Sequence, residues 1–263
     1  MKKLLVLFLG LLLMASFISG CSEKDDNTTG PDQNGEPPAL ATTPDEVMAV
    51  PDSASLVNYT FETVTYNDLD MPGYPLTQFI QFTKEFDETL EYTYEIVSDD
   101  GYSPRDGQNA DLCWADVSTG YLLPETKHRT FFPSDDIFSA YDVKYADHIN
   151  LYRTVKVIIA TKEVYFQTGA IETEDVLHQA GNGEYYTDSG FKLENLISEY
   201  VTENPADHNF TFIASDNYDK TYTWAELQTG YWLTERNKAV FLNPDGTEIS
   251  SSFKHLISIE LAK

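Results

Sequence analysis

The stretch CWADVSTGYLLPE at residues 113–125 is echoed by TWAELQTGYWLTE at residues 223–235. Begun one residue earlier, the two align over fourteen positions with seven identities: Trp, Ala, Thr, Gly, Tyr, Leu and Glu. An unrelated pair would agree at about one position in fourteen. The chain therefore reads as a duplication. Within the phrase, Thr223 and Glu226 have the spacing of a capping box, which opens a short helix. Gly120 and Gly230 stand where a left-handed residue would stop that helix. Trp114 and Trp224 read as apolar anchors beneath the helices, and Tyr121 and Tyr231 as the return of the chain to the core.

Working outward, GYPLTQFI (73–80) parallels GFKLENLI (190–197), and YTYEIVSD (92–99) parallels FTFIASD (210–216). Phe210, Phe212 and Ala214 are then the counterparts of Tyr92, Tyr94 and Ile96, which alternate with polar residues as a half-buried strand does. Downstream, RTFFPSD (129–135) lies against AVFLNPD (239–245), and YRTVKVIIA (152–160) against FKHLISIELA (253–262). Leu76, Phe79 and Ile80, and likewise Leu193, Leu196, Ile197, Tyr200 and Val201, recur at helical spacing. The expected fold is α+β: two tandem copies of a mixed-sheet domain with short helices, at 53–160 and 161–263.

The chain begins with Lys2 and Lys3, continues through the apolar LLVLFLGLLLMASFI, and reaches ISGC at Cys21. That order resembles a bacterial lipoprotein signal, with residues 1–20 removed and Cys21 lipidated. Two or more acyl chains hold a protein firmly on a bilayer, so the membrane is an expected partner. Residues 21–52 are rich in Asp, Asn, Gly, Thr and Pro and read as a flexible acidic tether. Ser22 and the acids after it resemble an outer-membrane destination, and Lys24-Asp25-Asp26 resembles a surface-export signal.

Forty-three acids against seventeen bases give a formal charge of −26, and loss of Lys2 and Lys3 makes it more negative still. Such a surface repels nucleic acid and anionic lipid. With Cys21 lipidated only Cys113 remains, so no internal disulfide is available. Stability must come from core burial, to which an aromatic content of 13% contributes.

The order of a Gly–Leu helix, a strand ending in SDDGYS (98–103) or SDNY (215–218), a Trp-containing turn, and a closing VKVI or HLISIEL strand resembles the sulfite-oxidase-type molybdopterin-binding domain. That resemblance implies a mixed-sheet scaffold and, as an alternative function, a molybdopterin-dependent oxidoreductase or redox subunit. Family members bind molybdenum through a Cys ahead of the Gly–Leu helix. Here no Cys precedes either helix in the folded region, and Cys113 opens the later Trp helix, where copy two has Thr223. The bases near the shared segments, among them Arg105, Lys127, His128, Arg129, Lys220, Arg236 and Lys238, are a thin supply for a polyanionic cofactor. No cofactor is therefore expected.

None of the five histidines has another at i+3 or i+4, the spacing of helical zinc sites. The chain has no G-x-S-x-G elbow, phosphate loop or dinucleotide fingerprint. The loop 98–111 offers Asp99, Asp100 and Asp106 as oxygen ligands for a calcium-dependent adhesion module, though without the full calcium-loop spacing. The leading expectation is a non-catalytic envelope lipoprotein that binds a protein or small-molecule ligand. Tyr102, Arg105, Tyr218 and Trp232 are its candidate contacts, because aromatics supply rigid contact area.

Overall fold

The computed structural model describes residues 38–82, 89–107, 110–134, 137, 139–160, 162–179, 182–197 and 204–262. Cys21, the leader and the first part of the tether lie outside the described residues. The fold is mixed α+β, mostly sheet, with helices of a single turn. The first half contains β1 (Glu46–Ala49), β2 (Glu62–Tyr66), β3 (Leu69–Pro75), β4 (Tyr92–Ser98), α1 (Trp114–Val117), β5 (Tyr121–Leu123), β6 (Arg129–Phe131) and β7 (Ala146–Ile159). The second contains β8 (Lys162–Gln167), β9 (Glu174–Gln179), β10 (Tyr185–Lys192), β11 (Asn209–Ala214), β12 (Asp219–Thr223), α2 (Trp224–Leu227), β13 (Gly230–Leu233), β14 (Lys238–Leu242), β15 (Glu248–Lys254) and β16 (Leu256–Ala262).

One large sheet runs β1-β7-β16-β11-β12, with β4 on the first part of β7 and β8 on its last part. A smaller sheet faces it in each half: β2-β3-β5-β6 in the first, β15-β14-β13-β10-β9 in the second. Leu76, Leu122 and Val117 meet Tyr94, Ile96, Ile149 and Leu151 in the first core. Trp232, Phe241 and Phe253 meet Phe210, Phe212, Val155 and Ile259 in the second. Each such side chain removed from water contributes roughly 1.5–3 kcal/mol.

Pairings in the two halves correspond position by position. Tyr74 lies opposite Leu122 and Pro75 opposite Tyr121, as Phe191 lies opposite Trp232 and Lys192 opposite Tyr231. The Tyr94–Trp114 rings are 5.9 Å apart at 45°, and the Phe210–Trp224 rings 5.7 Å apart at 43°. Tyr94, not Tyr92, is thus the counterpart of Phe210. A register shift then falls after Val97 in β4 and after Ile213 in β11, which matches Ser98 to Ala214. The third pair also moves by one residue: Leu123 pairs with Arg129 and Leu233 with Lys238, so Arg129 corresponds to Lys238 rather than Ala239.

The structure corrects several expectations. β4 is buried on both faces, not half-buried, because strands or loops cover each side. The helices expected through Leu76–Ile80 and Leu193–Val201 are 3-10 turns over Leu76–Phe79 and Leu193–Leu196; residues 198–201 lie outside the described residues. Gly120 and Gly230 are not left-handed. A Cβ on Gly120 would lie 2.5 Å from the Phe132 ring and 2.7 Å from Leu76, and one on Gly230 2.6 Å from Leu193. Close packing, not backbone freedom, requires them. Both helices do open with capping boxes, Cys113 with Asp116 and Thr223 with Glu226.

Two boundaries also move. The tether was expected to reach residue 52, but β1 pairs with β7 and Met48 is buried. The copies were divided at 160, but residues 154–159 of β7 pair with β8 on one side and run parallel to β16 on the other. Val155 and Val157 belong to the second core. β7 therefore serves both halves.

Candidate functional site

In the first half, the turn after β4 and the approach to β7 flank a depression of about 480 Å³. Two local devices shape it. The Asp100 carboxylate accepts from the Ser98 hydroxyl and from the Tyr102 N–H at 3.2 Å, which folds the turn around Gly101 (φ 86). Opposite, Tyr145 has a left-handed backbone (φ 54). Its N–H donates to the Lys127 carbonyl at 2.8 Å and its carbonyl accepts from Asp99 at 2.9 Å. A non-glycine residue held there costs about 1–3 kcal/mol and persists only where neighbours enforce it. The outcome is a pair of exposed rings, Tyr102 and Tyr145, at the depression.

Its charged lining comprises Arg129, Lys144, Asp100 and Asp142. Burial pushes the Asp142 carboxyl above its ordinary range, although a Phe132 backbone N–H and the charge of Arg129 oppose this. The Ser98 hydroxyl and the Tyr102 N–H hold Asp100 below the usual carboxylate range. Arg129 donates to the Tyr66 hydroxyl at 2.7 Å, while its buried Nε has no hydrogen-bond partner among the described residues. Among the described residues, Arg105, Arg153 and Arg236 each form an ion pair with a carboxylate, and Arg129 does not. Arg129 thus brings to the depression a guanidinium that no carboxylate among the described residues holds in an ion pair.

The corresponding place in the second half is built differently. Ala214 N–H donates to the Tyr218 carbonyl at 2.9 Å, as Ser98 N–H does to Tyr102, and His255 (φ 54) repeats the backbone of Tyr145. Here, however, the Phe253 ring stands where Val143 stands in the first half and packs 5.3 Å from the Tyr218 ring. Lys238, the counterpart of Arg129, lies 3.4 Å from Glu248.

Of the four candidate contacts, Tyr102 lines the depression and Tyr218 is exposed in the other half. Arg105 is spent inside the fold. Its Nε donates to Asp111 at 2.7 Å, its NH1 to the Ala41 carbonyl at 2.7 Å, and it lies 3.8 Å over the Tyr152 ring. Beside it, burial alone would raise Glu95, but bonds from Asn150, Ser103 and Tyr152 outweigh that and hold its carboxyl low. Trp232 is corrected outright: it is fully buried opposite Phe191, because the alternation along β13 turns it into the core.

The acidic loop uses its carboxylates locally, since Asp106 accepts from the Ser103 N–H at 3.0 Å and Asp111 pairs with Arg105. Among the described residues, no group of three or more His, Cys, Asp and Glu is placed to hold a metal. Cys113 does not fit a molybdenum ligand. Its thiol is buried and donates to Asp116 at 3.1 Å, the part that Thr223 plays toward Glu226. Of the bases expected near a pterin pyrophosphate, Arg105 is held on Asp111 and Arg236 on Asp188.

No family model, curated protein or solved structure matches the chain. The site therefore stands on its geometry. Sequence reasoning missed Asp142, Lys144 and Tyr145, which come from a segment that diverges between the copies. The one signal was the Lys-Tyr of 144–145 lying against the Lys-His of 254–255.

Proposed function

We propose that the chain is a cell-envelope lipoprotein, anchored through Cys21, whose tandem mixed-sheet copies form a non-catalytic binding module. The lipobox-like leader supports the anchor and an outer-membrane location. The matched pairings of β3 with β5 and β10 with β13 support the duplication. The resemblance to sulfite-oxidase-type domains is read as one of scaffold alone, because the only Cys of the folded region is a helix cap.

The observation that carries ligand binding is Arg129, an arginine with no carboxylate ion pair among the described residues, lining a depression flanked by two exposed tyrosines. Its volume falls within the range of small-molecule sites. Fragment screening by protein-observed NMR tests the reading. Ligands should perturb the Tyr102 and Tyr145 resonances and lose their effect in Arg129→Met; perturbations confined elsewhere would refute it. Incorporation of labelled palmitate, abolished in Cys21→Ala, tests the anchor.

A further inference from the structure

We propose that the first-half depression binds a neutral, polyhydroxylated ring: one unit of an uncharged oligosaccharide. This rests on the reading of the depression as a ligand site and names the class of its ligand. Charge comes first. The lining carries two bases, Arg129 and Lys144, and two acids, Asp100 and Asp142. A phosphate, sulfate or uronic acid would meet both carboxylates inside a chain of net charge −26, and a polycation would meet both bases. Neither sign is favoured.

A sugar hydroxyl is donor and acceptor at once. It can accept from Arg129 or Lys144 while donating to Asp100 or Asp142, so a lining of mixed sign suits a polyol with no ionic partner. Charge-assisted bonds of this kind are about twice as strong as neutral ones. Among the described residues Arg129 forms no ion pair, so a hydroxyl that reaches it displaces no carboxylate.

The rings supply the rest. Tyr102 is 43% exposed and Tyr145 49% exposed, large apolar faces left in water at the same hollow. The C–H face of a pyranose covers such a ring, while the phenol hydroxyl stays hydrated. The backbone under each ring is fixed by hydrogen bonds, which sets where both rings leave the chain beside the depression. The second half lacks the arrangement, since Phe253 occupies the space beside Tyr218 and Glu248 neutralises Lys238.

The test is calorimetric titration of the full chain with neutral hexasaccharides (glucan, mannan and xylan series), a hexagalacturonate, and a mixed peptide pool. At least one neutral series should bind with one site per chain, and about tenfold more tightly than the uronate. Tyr102→Ala and Tyr145→Asn should each weaken binding about tenfold; Asn tolerates the left-handed backbone, so the fold survives. Circular dichroism verifies that both variants remain folded. Tighter binding of the uronate or of peptides would overturn the saccharide assignment, as would neutral binding indifferent to both variants. If NMR fragments occupy the depression while no neutral oligosaccharide binds, the class is wrong and the site stands. If neither binds, both fall.

Discussion

The His255 Nδ1 of the second half lies 2.9 Å from the Glu91 carboxylate of the first. Glu91 is 1% exposed and also accepts from Arg153 and from Asn237. One acid thus satisfies donors from both halves. Removing one partner of a buried pair costs about 3–5 kcal/mol, because the other charge is left uncompensated. Glu91→Ala should lose stability on that scale in urea unfolding, and Glu91→Gln less. A change within the range of surface substitutions would refute the role.

Asp142 gives a pH dependence of opposite sense to most acids. Burial raises its folded-state pKa, so the protonated form is favoured in the fold. Its contribution is fully present below the ordinary carboxylate pKa of about 3.9 and is lost as pH rises through the raised value. At neutral pH the wild type therefore carries a cost that Asp142→Asn removes. The variant should melt on the order of a degree or two higher at pH 7. The gap should close as the pH is lowered below the carboxylate range; a gap that widens in acid would reverse the argument.

The caps are separable. Thr223→Ala removes an acceptor for the Glu226 N–H and should cost about 0.5–2 kcal/mol. Cys113→Thr installs the second half's residue in the first and should be nearly neutral. In the native protein the Cys113 thiol should resist Ellman's reagent and react only on unfolding, since it is buried on Asp116. Rapid native reaction would contradict that placement.

The shared strand predicts how the chain can be cut. A fragment of residues 161–263 lacks Val155 and Val157 and the strand between β8 and β16, and should show no dispersed amide spectrum. A fragment of residues 154–263 restores them and should be measurably more folded. Equal folding of the two would show that β7 is dispensable to the second half.

The repeated Trp, Gly and Tyr were legible because large packed groups and the small residues beneath them change little between copies. Trp114 and Trp224 lie where the phrase placed them. The strand registers were not, because one-residue offsets in a buried strand swap one apolar residue for another, as with Phe131 and Phe132. The reach of β7 was hidden for a different reason. The alternation of VKVII looks the same whether its partners come from one copy or two. The depression drew partly on the least similar segment; Tyr102, Asp100 and Arg129 were singled out in advance, and Asp142, Lys144 and Tyr145 were not.

Because β7 runs as one strand through both halves of the large sheet, the halves cannot be exchanged like beads on a string. Any recombination between copies would have to carry that strand with it. The second half, whatever its own surface does, is the splint along which the first is held in shape.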